Sequence, residues 1–438
     1  MFKKVMDIFK VKDVRHRMLY VLLCLIIIRL GSQIPVPGVN RNYFSEWFAS
    51  QTGDAFNFFD AFTGGSFSSM SILALSITPY ITSSIIVQLL TIAIPALEEM
   101  QRDGEDGRKK LTAITRYLTV GLSLFESIAM TVGFGNNGLI PNMDFAKAVV
   151  VIASLTAGSS FLMWIGEQIM EKGIGNGISM VLLINILSRV PSDLASLYEQ
   201  FVKGKTIARG ALAAIIIIAI ILVMVVMVLL LNGAIRRIPV QYSKKTVGRR
   251  VVGGQSTHIP LKVNTAGVIP VIFASSIMSF PGIIATFIGK NNAQGVGGTI
   301  LGILSSNNWF QWARPIYNIG LILYIVLVIF FAYFYTSITF NPLEIADNMK
   351  KQGGFIPGIR PGRPTSDYLT KLLNYIIFIG AVGLVIIAII PFFFNGVFSA
   401  SVSFGGTSII IIVGVILETV TQIESMMVVR NYKGFLNS

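Results

Sequence analysis

Ten apolar stretches punctuated by polar, glycine- and proline-rich connections set the pattern of this chain. They fall at about 18–34, 71–94, 115–134, 147–166, 176–190, 211–231, 266–288, 315–336, 369–390 and 407–427. An α-helix rises 1.5 Å per residue, so about 20 apolar residues cross a ~30 Å hydrocarbon core. The pattern therefore predicts about ten transmembrane helices, with 176–190 the shortest.

The second stretch differs from the others. It is entered through Phe56-Asn-Phe-Phe-Asp-Ala-Phe-Thr-Gly-Gly65 and reads on as Ser66-Phe-Ser-Ser-Met-Ser71 before turning aliphatic. Gly64, Gly65, Ser66, Ser68, Ser69 and Ser71 weaken its first half as a helix, and Thr78-Pro79 interrupts its second. Backbone of that kind is tolerated at membrane depth only inside protein or beside a water-filled cavity. The segment therefore predicts an enclosed pathway with itself inside it.

Composition agrees with a membrane protein. The chain has 438 residues, 53% hydrophobic and 13% charged, and its mean hydropathy is +0.71. A soluble domain of this size could not bury that much apolar surface. The first apolar stretch runs into Ile34-Pro-Val-Pro-Gly38 without a small-residue cleavage site, so no cleavable signal peptide is expected. One cysteine, Cys24, excludes a disulfide framework.

The net charge of +14 is uneven and predicts an orientation. Lys3, Lys4, Lys10, Lys12, Arg15 and Arg17 precede or open the first stretch, and the second, sixth and eighth connections are also basic. The connections at 35–70, 289–314 and 391–406 hold only Arg41, Lys290 and Arg314 as cations. Both termini are thus expected on the inner, cytoplasmic side. Arg189, Lys203, Lys205 and Arg209 violate the pattern on the expected outer side.

Ten spans divide into two groups of five, residues 1–190 and 211–438, joined by an outer hinge connection at 191–210. Two halves with an odd number of spans have opposite topology, the arrangement of an inverted repeat. Two inner connections, 232–264 and 337–368, are long and rich in Gly, Pro and Arg, which favours docking surfaces over plain linkers.

Candidate chemistry is sparse. His16 and His258 lie far apart, and no Cys, His or Asp set has metal-ligand spacing, so neither an enzyme nor a metal or other cofactor is expected. Gly204-Lys205-Thr206 lacks the glycine a phosphate loop needs five residues earlier, where Glu199 stands. The glycines of Gly173-Ile-Gly-Asn-Gly177 read as close helix packing at a helix start, since no strand precedes them. Intramembrane charge is limited to Arg29, read as an interfacial anchor, Glu126, the best candidate for a polar cluster, and Glu418. Glu167 and Glu171 are expected to be solvated at an inner boundary.

Branched aliphatics recur beside small or helix-breaking residues on several spans: Ile77, Ile81, Leu182, Ile186, Ile272 and Ile411. Converging on one level, they would exclude water and ions by dewetting and part around a bulky guest. Taken singly, each is ordinary packing.

Several segments together resemble the SecY family of bacterial protein-conducting channel subunits, over essentially the whole chain. They are Arg29-Leu-Gly-Ser-Gln-Ile-Pro-Val-Pro-Gly38, Pro79-Tyr-Ile-Thr-Ser-Ser-Ile-Ile-Val-Gln-Leu-Leu90, and Gly107-Arg-Lys-Lys110 with Thr115-Arg-Tyr117. Phe161-Leu-Met-Trp-Ile-Gly-Glu-Gln168, Gly173-Ile-Gly-Asn-Gly-Ile-Ser179 and Gln255-Ser-Thr-His-Ile-Pro-Leu-Lys-Val-Asn264 continue the match. Phe355-Ile-Pro-Gly-Ile-Arg-Pro-Gly362 and Gly405-Gly-Thr-Ser408 complete it.

The resemblance implies an all-α polytopic membrane protein whose two pseudo-symmetric inverted halves of five helices enclose an hourglass channel. It makes Ile77, Ile81, Leu182, Ile186, Ile272 and Ile411 a pore ring, with leucine at 182 where isoleucine is expected. It makes the segment around 56–70 a plug, a short helix closing the outer funnel, with Phe58, Phe59, Phe62, Gly64, Gly65 and Phe67 in it. The second and third spans facing the seventh and eighth form a lateral gate with a polar cluster of Thr82, Gln88, Glu126 and Asn264, glutamate at 126 departing from the amide of some relatives.

Arg360, Arg249, Arg250, Lys244 and Lys245 become contacts for the motor ATPase SecA or the ribosome. SecE and SecG small membrane subunits, signal sequences, translocating polypeptide and the lipid of the plasma membrane are the other implied partners. A secondary transporter of a small solute is the alternative. It predicts charged groups and broken helices at a midplane site, and sparse intramembrane charge beside an acid-free basic loop argues against it. An intramembrane protease is set aside, since no histidine or aspartate lies in a span.

Overall fold

The computed structural model describes residues 11–50, 60, 62–135, 140, 144–203, 207–242, 245–247, 250–252, 256–287, 296–305, 308–310, 315–398 and 406–436. The N-terminal part carries α1 (Lys12–Gly31), α2 (Arg41–Ser50), α3 (Thr78–Ala93), α4 (Pro95–Arg102), α5 (Glu105–Phe134), α6 (Phe145–Lys172) and α7 (Gly177–Phe201). The remainder carries α8 (Ile207–Gly233), α9 (Ile269–Phe287), α10 (Val296–Leu304), α11 (Asn318–Thr339), α12 (Pro342–Lys351), α13 (Arg363–Phe398) and α14 (Gly406–Leu436). Each of the ten apolar stretches thus holds a helix.

Among the described residues, seven helices (α5, α6, α7, α8, α11, α13 and α14) are long and apolar enough to cross a membrane alone. The α3 and α4 pair passes that test only together, bent by 108°. The bend follows from Pro95: its ring pushes the preceding residue out of the helical region, and Ile94 sits extended at φ −114°, ψ 111°. In α1 three arginines interrupt the apolar face, and among the described residues α9 contributes the apolar run Ile269–Met278.

Two boundaries differ from the sequence pattern. The second stretch was expected to be helical from residue 71, but residues 64–77 form a succession of turns and α3 begins at Thr78. The expected short fifth span is in fact 25 residues long, and α7 turns most of the supposed hinge at 191–210 into helix. Pro191 removes one backbone donor there without ending the helix. The start of α7 is fixed by Asn176, whose side chain accepts from Ile178 N at 3.1 Å and Ser179 N at 3.5 Å.

The helices surround one large apolar cluster drawn from α1, α3, α6, α7, α8, α9, α11, α13 and α14. Glycine permits the closest approaches. A Cβ at Gly177 would lie 1.8 Å from the Gly166 carbonyl oxygen, so α6 and α7 meet backbone to backbone as the glycine run predicts. A second cluster joins α2, α5, α6 and residues 67–75 through Phe44, Phe67, Met70, Leu75, Phe134 and Leu155.

The chain has the expected all-α polytopic membrane fold, to which its connections add a small amount of strand. The two long connections contribute a small antiparallel sheet ordered β4–β1–β5, with β1 at Ile235–Tyr242, β4 at Ser256–Lys262 and β5 at Gly354–Phe355. β1 pairs with β4 from Ile235↔Lys262 to Gln241↔Ser256, and with β5 through Gln241↔Phe355. Ile238, Val240 and Leu261 point from this sheet onto Met349, Ile356, Leu369 and Ile376. Two connections far apart in sequence therefore form one platform. A separate antiparallel pair, β2 (Lys245–Val247) with β3 (Arg250–Val252), lies between β1 and β4 in the chain.

Candidate functional site

The six branched aliphatics come from elements that all reach the large cluster. Ile77 caps the start of α3 and Ile81 lies one turn into it. Leu182 and Ile186 are one turn apart on α7, Ile272 lies in the first turn of α9, and Ile411 lies near the start of α14. Five of them are buried members of the one cluster, from 0% exposure at Ile77 to 8% at Ile272, and the half-buried Ile81 packs against it. Phe62 belongs to the same cluster.

Residues 62–77 are seated on two sides. Phe62, Leu73 and Ile77 join the aliphatic cluster, whereas Phe67, Met70, Ala74 and Leu75 face the aromatic one. Phe67 meets Phe44 edge to face at 5.5 Å between ring centres. Chain 34–36 binds the segment as an isolated bridge, with Val36 N donating to Met70 O at 3.0 Å and Ile72 N donating to Ile34 O at 2.9 Å. The plug was expected to be a short helix around 56–70; among the described residues, 60, 62 and 63 are helical and turns follow from 64. Glycines at 64 and 65 in left-handed conformation (φ +67° and +82°), and Ser68, Ser69 and Ser71, whose side chains bond the local backbone, account for the turns. Phe58 and Phe59 lie outside the described residues.

Polar groups on α1 and α7 hold this segment. Asn185 Nδ2 donates to Phe62 O at 3.1 Å and to Ser76 Oγ at 3.0 Å. Ser188 Oγ, at 3.4 Å, and Arg29 Nη1, at 3.2 Å, both donate to Gly64 O. Arg189 is paired with the buried carboxylate of Asp60. Two readings change accordingly. Arg29, expected to anchor at the interface, turns inward to the segment, and Arg189, an unexplained outer cation, has a buried partner. None of Asp60, Asn185, Ser188 and Arg189 was singled out for a site. The signal was present: a cation that breaks the orientation rule and a carboxylate alone in an apolar stretch each call for a partner.

The four residues expected to form a lateral polar cluster are not joined to one another by hydrogen bonds among the described residues. Thr82 Oγ1 donates to Thr78 O at 3.1 Å and Gln88 Nε2 to Ser84 Oγ at 3.3 Å, each within α3. Asn264, 7% exposed, donates through Nδ2 to Asn232 Oδ1 at 2.7 Å. Glu126 is half-buried on α5, the helix that packs against α9. Glu167, expected to be solvated, keeps 13% exposure and accepts from Arg116 Nε at 2.8 Å, tying α5 to α6.

On the face of the long connections, Arg360 is exposed at the tip of a rigid turn. Ile356 roots that turn in the core beneath the sheet, Ile359 N donates to Ile356 O at 3.0 Å, and Arg360 O accepts from Thr365 Oγ1 at 2.8 Å. Lys245 and Arg250 lie in the β2–β3 hairpin, and Lys244 and Arg249 lie outside the described residues. The sheet itself was legible in the alternation of Ile235-Arg-Arg-Ile-Pro-Val-Gln-Tyr242, a period of two with Ile238 and Val240 inward.

The SecY family profile matches residues 71–420. The chain belongs to the SecY family. A relative from Halalkalibacterium halodurans, described as protein translocase subunit SecY, is 43% identical over 443 residues, covering 100% of both chains. This SecY-family chain also superimposes on two solved structures at TM-score 0.64 and 17% identity, covering 94% of it and 92% of each of them. One is described as a protein-conducting channel. The other is described as a SecY protein whose plug domain stabilises the closed state and maintains a membrane seal. A canine Sec61 channel from a ribosome complex follows at TM-score 0.60 and 17% identity, covering 94% of this chain and 92% of that one.

Proposed function

We propose that this SecY-family chain is the channel subunit of a protein translocase, passing unfolded secretory polypeptides across the plasma membrane and releasing apolar segments sideways into lipid. The observation that carries the reading is the membership of Ile77, Ile81, Leu182, Ile186, Ile272 and Ile411, from four helices, in one apolar cluster that also takes in Phe62 and Leu73 of the preceding segment. A constriction lined by them sheds water, so ions see a barrier, while soft aliphatic side chains can separate around an extended chain. In this reading the six residues are the pore ring, and the segment at about 56–70, with Phe62, Gly64, Gly65 and Phe67 among its described residues, is the plug.

Further parts follow from the same reading. The halves 1–190 and 211–438 are inverted about the membrane plane, and both termini are cytoplasmic. The contact of α5 with α9 is the closed lateral gate, edged by Thr82, Gln88, Glu126 and Asn264. A signal sequence opens it because apolar residues gain about 0.3–0.6 kcal/mol each on reaching the bilayer centre, and its binding shifts a closed–open equilibrium.

Arg360 with the basic β2–β3 hairpin receives the motor ATPase SecA or the ribosome, which supplies the energy of transport. Phosphate-rich or acidic partners suit that charge. SecE and SecG pack on the lipid-facing helices. The weak burial of α8, 11% of its apolar window, supports a partner there.

Site-specific crosslinking tests the channel reading. Probes at Ile81 and Ile272 are expected to label an arrested secretory chain. A small solute labelled in its place, with the chain missed by both probes, would replace the channel by a solute transporter.

A further inference from the structure

Among the described residues from 60 to 77, Asp60 is the one charged side chain. Its carboxylate is 0% exposed, and its partner Arg189 on α7 is 22% exposed. One carboxylate oxygen takes the guanidinium through Nη1. The other accepts from Ser68 N at 2.8 Å and, at the limit of hydrogen-bond distance, from Thr63 Oγ1 at 3.5 Å. The same carboxylate therefore folds its own segment and ties that segment to the neighbouring helix. Gly64 completes the seat, its position so close to Asn185 that a Cβ would lie 2.8 Å from the Asn185 backbone.

A buried ion pair contributes little net stability, because desolvation of both charges offsets their attraction. Breaking it in place is costly, since a lone charge is then left without water. A segment held this way has two favourable positions, seated with the charges paired or displaced with both hydrated. Partial displacement is disfavoured. We propose that Asp60 and Arg189 form a charge latch that makes the seating of the 60–77 segment two-state, so that the pathway is either sealed or open. This inference rests on the channel reading above.

The burial of the two partners differs, and that difference predicts an order. Arg189→Gln strands a carboxylate with no exposure, whereas Asp60→Asn strands a guanidinium that already reaches solvent and keeps an acceptor for Ser68 N. The test is passive ion leak from vesicles holding the full-length chain in its native complex. Deletion of residues 62–70 serves as the unsealed reference. Arg189→Gln is expected to raise leak about tenfold or more, tenfold corresponding to ~1.4 kcal/mol. Asp60→Asn is expected to raise it less, and the double variant to return towards the parent.

If Arg189→Gln does not accumulate, Arg189→Lys replaces it and should leak between parent and deletion, because it keeps the charge and shortens the reach. Single variants that leak like the parent while the deletion leaks freely would overturn the latch and leave the channel intact. A double variant that multiplies the two single effects would overturn it too. A deletion that leaks no more than the parent would remove the channel reading and the latch with it.

Discussion

Individual residues of the segment proposed as the plug carry more of its conformation than its composition suggests. Gly64 sits at φ +67°, where a side chain costs roughly 1–2 kcal/mol, and its missing Cβ is what lets the segment touch α7. Gly64→Ala adds that strain to a 2.8 Å contact with the Asn185 backbone, which cannot give way as a flexible side chain would. It should unseat the segment, raising ion leak by about tenfold or more while leaving the melting of the helices nearly unchanged. Unaltered leak would show that the segment does not close the pathway. Ser76 is the counterpart without that freedom: it takes φ +53° although it has a Cβ, and it stays there because Asn185 binds its hydroxyl and Ser159 Oγ donates to its carbonyl at 3.3 Å. The break in the helix was readable from glycine and serine. Unpaired charges at Asp60 and Arg189 called for partners, but which residues pair was not readable, because the grip of α7 is made across 109 to 129 positions of sequence and leaves no local pattern.

At the level of elements, hydropathy located the spans well and misjudged their ends. It saw α7 stop near residue 190, where polar Ser188, Arg189 and Ser192 begin, yet the helix runs on to Phe201 because it leaves apolar surroundings without leaving helical geometry. The platform was missed for another reason: the alternation of β1 and β4 lies inside a stretch taken for a connection, and β5, with two residues, has no pattern until it pairs with β1. The platform is also where docking is most simply tested. Arg360→Glu reverses an exposed charge on a turn held by Ile356 beneath it, and should abolish export while the chain itself still inserts in the membrane. A second variant separates charge from geometry. A side chain at Gly354 would meet the Tyr242 ring at 2.9 Å, so Gly354→Val should shear β5 from β1 and weaken export with Arg360 in place. Normal export by both variants would remove this face from the docking role.

For the molecule as a whole, the question is what lets one constriction be tight to ions and open to polypeptide. Charge plays little part in the proposed pore ring, since its six side chains are aliphatic and five are buried. The barrier must then be the cost of wetting a narrow apolar neck, a cost that depends on the nature of the lining more than on its detailed shape. Two kinds of substitution separate these. Ile81→Leu with Ile411→Leu keeps volume and apolarity, a change that cores absorb for less than about 1.5 kcal/mol, and should leave leak and export at parental values. Ile81→Ser with Ile411→Ser supplies hydroxyls on two sides of the neck and should admit water and raise ion conductance severalfold, most visibly once the plug is displaced. Export should persist in the serine variant, because an extended polypeptide fills the neck whatever lines it. Conductance of vesicles with and without an arrested chain distinguishes the cases: the chain should suppress the leak of the serine variant. If the leucine pair leaks as much as the serine pair, shape rather than wetting makes the seal.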